Sequence, residues 1–361
     1  MHDDSFLEYQ LNRRREEGSL RELKLPSGKT DFCSNDYLGM VHNKLLQVPG
    51  SEAHGSTGSR LLAGNSQLAE ALEATIARFH DSEAALLFNS GYDANVGLLS
   101  CIPQKGDTVI YDALSHASIR DGIRLNHAAA FSFRHNDIKD LEKKILVATG
   151  QIFVITESLF SMDGDIAPLN KISAVCDRYK AHLIVDEAHA TGIYGPFGAG
   201  LVQEYGLQLQ CFARIHTFGK ALGCHGAVVL GSHRLRSYLV NFARSFIYTT
   251  ALPAVALRAI EHSYQLLPGM EAERHTLTYL IHKFTAARIA YERIPGNSPI
   301  QGVIVPGNEA VKALSARLEA AGFDVRPIMS PTVPKGAERL RIVLHSFNTP
   351  AEVNKLIALL Q

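Results

Sequence analysis

Five short apolar runs, Ala84-Ala85-Leu86-Leu87-Phe88, Thr108-Val109-Ile110-Tyr111, Ile152-Phe153-Val154-Ile155, Leu183-Ile184-Val185 and Ala227-Val228-Val229-Leu230, are separated by stretches that can each hold a helix. A run apolar at every position, not at alternate ones, suits a strand buried on both faces. Strands of that kind alternating with helices predict an α/β fold: a mostly parallel sheet with helices on both sides. From Ser66 onward Leu68, Leu72, Ile76 and Phe79 recur at helical spacing, and an N-terminal helix is expected from Phe6 to Glu17, followed by a turn at Pro26-Ser27-Gly28. Beyond about residue 260 the pattern changes to longer helices and two strands, around Val325 and over Leu340 to Leu344. Thr349-Pro350-Ala351-Glu352 is a capping box with proline at the first helical position, opening a last helix striped by Val353, Leu356, Ile357 and Leu360.

At 361 residues the chain has room for one large domain and a smaller one. The expected division is an N-terminal arm over 1–50, a large α/β domain over 51–260 and a small α+β domain over 261–361. Lys and Arg together number 36, as do Asp and Glu, so no electrostatic footprint for nucleic acid is present. The densest basic run, Arg13-Arg14-Arg15, meets Glu16-Glu17 at once and reads as a solvated helix face. Met1-His2-Asp3-Asp4 has no signal pattern and every apolar run stops short of a membrane span, so a cytoplasmic protein with no membrane partner is expected. Five cysteines without a C-x-x-C argue against a disulfide framework or zinc ribbon and are expected as buried thiols.

His182-Leu183-Ile184-Val185 ends in Asp186, which places a carboxylate at the carboxyl edge of an interior strand, where ligands of open α/β sheets collect. Buried there, it needs a cationic partner. Thirty-four positions on, Lys220 lies between Gly219 and Gly223, an amine on a flexible connection. An acid for a protonated pyridine nitrogen and an amine for an aldehyde point to pyridoxal phosphate. Taken singly, Lys220 reads as a surface charge and Asp186 as a helix cap. Asp186 and His189 as a pair of metal ligands lack a third ligand at nearby spacing. Gly91 joins a strand to a helix, where backbone N–H groups can hold a phosphate, and Tyr92 beside it could close over the cofactor; the bland reading is an ordinary turn. His116 follows the next strand and could stack on a flat ring, or simply cap a helix. The P-loop pattern is broken by Arg214 and Ala221, and Gly195, Gly198 and Gly200 stand in the wrong order for a dinucleotide fingerprint, so a nicotinamide-dependent oxidoreductase lacks its signature. A binding or scaffold protein without catalysis stays open.

Six segments occur in order: Ser34-Asn35-Asp36-Tyr37-Leu38-Gly39, Gly55-Ser56-Thr57-Gly58-Ser59-Arg60, Leu114-Ser115-His116-Ala117-Ser118, Thr156-Glu157-Ser158-Leu159-Phe160-Ser161-Met162-Asp163-Gly164-Asp165, Asp186-Glu187-Ala188-His189-Ala190-Thr191-Gly192 and Thr217-Phe218-Gly219-Lys220. Together they resemble the α-oxoamine synthases, fold-type I pyridoxal phosphate enzymes, over nearly the whole chain. Ser330-Pro331-Thr332-Val333-Pro334-Lys335-Gly336 and Arg339-Leu340-Arg341 are most similar to the branch that condenses L-alanine with a pimeloyl thioester on coenzyme A or a carrier protein; the glycine C-acetyltransferase and serine palmitoyltransferase branches are the nearest rivals.

The resemblance implies that Lys220 carries the cofactor and then removes the alanine α-proton, that Asp186 holds the pyridine nitrogen protonated, that His189 bonds the ring hydroxyl and that His116 stacks on the ring. Gly91, Tyr92, Ser161 and Thr217 match cofactor-contacting positions. It further implies that Arg341 binds the amino-acid carboxylate with Asn35 close by, that Arg21 and Thr332 meet the acyl substrate, and that the Gly55 to Arg60 loop completes the site of the other copy in a homodimer. Two departures stand out: the Gly39 to Gly55 stretch is short for the family, and Met329 stands where many relatives have arginine, with Arg326 three residues before it.

Overall fold

Successive side chains of a strand point to opposite faces, so a strand apolar throughout must be covered twice. The computed structural model describes residues 2–361 except Lys24, Pro26, Ser27, Pro49 and Ser51. In it Leu86, Phe88, Val109, Phe153, Ile155, Ile184 and Val229 pack on one side with helix residues Leu98, Leu99, Ile119 and Leu239. Ile110, Val154, Leu183 and Val185 pack on the other with Leu141, Ile145, Ile172 and Val175. Strands β1 (Ala84–Phe88), β2 (Thr108–Asp112), β3 (Ala129–Phe133), β4 (Ile152–Glu157), β5 (His182–Asp186), β6 (Cys211–Thr217) and β7 (Ala227–Gly231) form a seven-stranded sheet among the described residues, in the order β1-β7-β6-β5-β4-β2-β3. All neighbours are parallel except β7, which runs antiparallel to both β1 and β6.

Two of these strands lie outside the five runs. In β3 the first four residues are exposed, and in β6 the buried Arg214 and His216 interrupt the apolar pattern. The expected N-terminal helix forms as a 3-10 turn over Ser5–Leu7 and an α-helix over Glu8–Glu16. Pro26 and Ser27 of the expected turn lie outside the described residues. The capping box at Thr349 is made in full and opens the helix Pro350–Leu359, with Val353 and Leu356 fully buried.

Contacts group the chain into two compact units. One holds Leu38–Ser161 and Ile166–Arg274 and contains the large sheet; the other holds Met1–Tyr37, Met162–Asp165 and His275–Gln361. The division at 50/51 and 260/261 read from the sequence remains a proposal about folding domains; the units here are discontinuous in sequence. The second unit carries a three-stranded antiparallel sheet in which Arg339–Val343 lies between Arg326–Ile328 and Ile300–Ile304. Val325 falls between short strands, and the strand expected at Leu340 to Leu344 runs over Arg339–Val343. Of the cysteines, all unpaired, only Cys176 is buried; Cys33, Cys101, Cys211 and Cys224 are half-buried, a correction to the expectation for all five. No helix among the described residues is long and apolar enough to cross a membrane.

Candidate active site

In the larger unit four strand ends converge by register. Glu157 pairs with Asp186 across β4 and β5, and Asp186 with Ile215 of β6. Phe88 of β1 and Thr217 of β6 both pair with Ala227 of β7, which brings the exits of β1 and β6 to the same edge. Parallel neighbours that end together leave a crevice there, which is why ligands gather at this edge.

Asp186 is buried, and both its oxygens meet neutral donors: the side-chain amide of Asn95 at 2.7 Å and the Ala188 N–H at 2.9 Å. Asn95 sits on the helix Gly91–Cys101 and also donates to Ser118 Oγ at 3.0 Å. Ser118 Oγ in turn lies 2.8 Å from His116 Nδ1, which accepts from the Ser118 N–H at 3.2 Å. An N–H can only donate, so Nδ1 is an acceptor and the neutral ring carries its proton on Nε2. Burial pushes the His116 pKa down, the Lys220 charge adds to the shift and Asp186 opposes it.

Glu157 is buried beside Asp186 and accepts from the His116 N–H at 2.6 Å. Its carboxyl is held well above the usual range, by burial first and then by the Asp186 charge. Two adjacent buried carboxyls cannot both ionise cheaply, which favours the neutral form of Glu157. Lys220 lies half-buried on the bend after β6 and donates to Thr217 Oγ1 at 3.2 Å. His189 is buried three positions beyond Asp186, and Ser161 is half-buried just after β4.

Gly91 is the first residue of its helix, capped by Ser90, whose side chain accepts from the Asp93 N–H. A Cβ at Gly91 would fall 2.5 Å from Thr217 Cγ2, so only glycine lets the helix start approach β6. That leaves the helix's first N–H groups beside Thr217 and Lys220, a cradle suited to a phosphate. Tyr92 is half exposed and its hydroxyl is bonded to Asp121 at 2.7 Å. A pyridine ring with a phosphate fits this set: a buried carboxylate bonded only by neutral groups, a nearby amine and a glycine-opened helix N-terminus. Among the described residues no group of three or more His, Cys, Asp or Glu is arranged to hold a metal ion.

The smaller unit brings together the other expected residues in two pairs. Arg341, buried on the central strand of its sheet, donates to Asn35 Oδ1 at 2.9 Å, and the Tyr37 hydroxyl donates to the same oxygen at 3.2 Å. Arg21 donates to Thr332 Oγ1 at 3.2 Å, both side chains exposed. Arg326, suggested by its closeness to Met329, is held by both oxygens of Asp324 at 2.7 and 2.9 Å and is not free to replace a missing arginine. Sequence reasoning missed Asn95 and Glu157 as site members. Asn95 carries no signal of its own, because its role depends on a helix that reaches Asp186 only in the folded sheet; Glu157 ends a strand as Asp186 does, and that likeness was available.

The description "Aminotransferase class I and II" fits residues 27–360 of the chain. An 8-amino-7-oxononanoate synthase from Emericella nidulans is 41% identical over 96% of this chain and 92% of its own length. A serine palmitoyltransferase from S. paucimobilis with bound PLP and myriocin superposes with a TM-score of 0.87 at 26% identity, covering 99% of this chain and 98% of that one. An 8-amino-7-oxononanoate synthase from Francisella tularensis gives 0.77 at 28% identity, covering 92% and 96%.

Proposed function

We propose that this chain, which belongs to the class I and II aminotransferase family and is a pyridoxal-phosphate-dependent acyltransferase, condenses L-alanine with a pimeloyl thioester as an 8-amino-7-oxononanoate synthase of biotin biosynthesis. The products are 8-amino-7-oxononanoate, carbon dioxide and the free thiol carrier. The observation that carries the choice is the 41% identity to a relative of that name over almost the full length of both chains. The 0.87 TM-score to a serine palmitoyltransferase favours a second reading, with serine and a long acyl chain.

Pyridoxal phosphate supplies an electron sink beside the amino acid's α carbon. Lys220, whose Nζ donates to Thr217 Oγ1, would anchor the cofactor and serve as the base for the α-proton. Asp186 would keep the pyridine nitrogen protonated, His189 would bond the ring hydroxyl and His116 would lie against the ring. The helix N-terminus at Gly91, with Tyr92, Ser161 and Thr217, would hold the remainder of the cofactor. Arg341 receives the amino-acid carboxylate with Asn35 orienting its guanidinium, and Arg21 and Thr332 meet the acyl substrate. A homodimer is part of the proposal. The Gly55 to Arg60 loop is pinned by Arg60 to Glu73 at 2.8 Å and by Ser56 to the Leu252 carbonyl at 2.9 Å, which leaves Gly55 and Thr57 exposed to complete the other copy's site.

The test is a matrix of alanine, glycine and serine against acetyl, pimeloyl and palmitoyl thioesters, scored by thiol release. Alanine with pimeloyl is expected to lead; a clear preference for serine with palmitoyl, or for glycine with acetyl, would move the enzyme to that branch.

A further inference from the structure

Arg21 and Thr332 lie 311 positions apart, each outside helix and strand, and yet are hydrogen-bonded. Two irregular segments do not stay in register without a common anchor, because each retains the freedom of its own backbone. One side chain reaches both. Asn308 is the first residue of the helix Asn308–Ala320; its amide nitrogen donates to the Glu17 carbonyl at 2.8 Å, four positions before Arg21. Its Oδ1 accepts from the Ser330 N–H at 3.1 Å, two positions before Thr332, and its nitrogen lies 3.5 Å from the Ser330 carbonyl.

Neighbouring groups tighten the same junction. Gly18, at φ +62°, passes so close to the helix start that a Cβ there would fall 2.6 Å from Glu309 Oε1. The buried Glu338 accepts from the Gly307 and Gly336 N–H groups, each at 2.9 Å, and so ties the far end of the Thr332 segment to the entry of the same helix. A side chain at this helical position commonly serves its own helix. Here the capping residue is Gly307, without a side-chain cap, and Asn308 bonds two distant segments instead.

We infer that Asn308 is a positioning residue for acyl-substrate binding, holding Arg21 and Thr332 in one arrangement through the backbone of Glu17 and Ser330. The inference rests on the reading that Arg21 and Thr332 meet the acyl substrate. As a positioning residue that acts through the backbone of Glu17 and Ser330, Asn308 is expected on removal to affect the acyl substrate and not the amino acid.

The experiment uses the holoenzyme and follows thiol release from pimeloyl-coenzyme A, varying each substrate at saturating levels of the other. Asn308→Ala is expected to raise the acyl KM by about 5- to 20-fold, the scale of a slight misplacement of binding groups. The alanine KM, kcat and cofactor absorbance should stay within about twofold of wild type. In an Arg21→Ala/Thr332→Ala background the same substitution should have no further effect on the acyl KM, since groups acting through one another are not additive. Equal changes in both KM values, or an undiminished effect in that background, would overturn the inference. If Asn308→Ala does not fold, Asn308→Asp, which keeps the acceptor for Ser330 and loses the donor to Glu17, is read by the same criteria. Wild-type enzyme that releases no thiol from pimeloyl-coenzyme A would refute the functional reading and the inference with it; wild-type activity without a selective acyl effect refutes the inference alone.

Discussion

Asn95 donates to the Asp186 carboxylate at 2.7 Å and to Ser118 Oγ at 3.0 Å, so one amide joins the end of β5 to the residue that fixes the His116 ring. The carbonyl end of that amide is buried without a hydrogen-bond partner among the described residues. Asn95→Ala removes a hydrogen bond to a charged group, a loss of about 1.5–3 kcal/mol. Pyridoxal phosphate should therefore bind roughly 10- to 100-fold more weakly to the variant. Titrating apoenzyme with the cofactor measures this directly, and affinity within twofold of wild type would show that Asp186 needs no such support.

Glu157 presents a different kind of dependence, because burial and the Asp186 charge keep its carboxyl protonated while one oxygen accepts from the His116 N–H. A carboxyl neutral in the folded state would act through its shape and not its charge. Glu157→Gln keeps an acceptor of the same reach and should retain cofactor affinity and turnover within about threefold. Glu157→Ala removes that acceptor and leaves the part-exposed His116 N–H without this hydrogen bond, a cost of about 1 kcal/mol, and should lower both cofactor affinity and thermal stability. A glutamine variant as damaged as the alanine one would mean that the ionised carboxylate is required.

The parts of this molecule legible in its sequence are those whose physics is local. Asp186 was found because an apolar run ends in an acid, and the last helix because Thr349 and Glu352 cap it within one turn. Strand β6 was not, since Arg214 and His216 are buried by partners far along the chain: Arg214 bonds the His80 carbonyl, and the His216 ring packs on that of His80 at 4.0 Å. Strand β3 was hidden for the opposite reason, being an edge strand with little apolar surface to bury. The Arg21–Thr332 and Arg341–Asn35 pairs came from family likeness, and nothing in spacing alone would have joined residues some 300 positions apart. Arg326 shows the limit of nearness in sequence, because Asp324, two positions away, already holds it.

Glu187, next to Asp186, offers a test of stability against pH. It is fully buried; its Oε2 accepts from the Val202 N–H at 3.2 Å, and Gly200, at φ +116°, comes so near that a Cβ would collide with that oxygen. Burial raises its pKa from 4.5 to about 7, with hydrogen bonds and Arg214 opposing the shift and Asp186 adding to it. A carboxyl whose folded pKa is raised stays protonated in the folded state while the unfolded chain ionises. Its contribution is fully present below about pH 4.5 and is lost as pH rises through about 7, for a total of ~3 kcal/mol. Glu187→Gln carries no such loss. Urea unfolding of both proteins should show the variant gaining on wild type between pH 4.5 and 8; a constant difference would mean that Glu187 is ionised when folded.

Arg21 offers the test of the acyl end. Its guanidinium is exposed and its resolved side-chain bond is to the neutral Thr332 hydroxyl, which leaves donors for a second partner. Arg326, the other arginine near Met329, is neutralised by Asp324. If Arg21 meets the distal carboxylate of a pimeloyl chain, Arg21→Ala should weaken kcat/KM for that substrate by about 1.5–3 kcal/mol, the range for a hydrogen bond between charged groups. A neutral acyl thioester of the same length should lose much less, because the deleted contact never existed for it. The loss should also shrink with added salt, since the screening length around an exposed ion pair falls from about 10 Å at 0.1 M to about 3 Å at 1 M. Equal losses on both substrates would assign Arg21 to the carrier or to the fold, and the preference for a dicarboxylic chain would then need another cation.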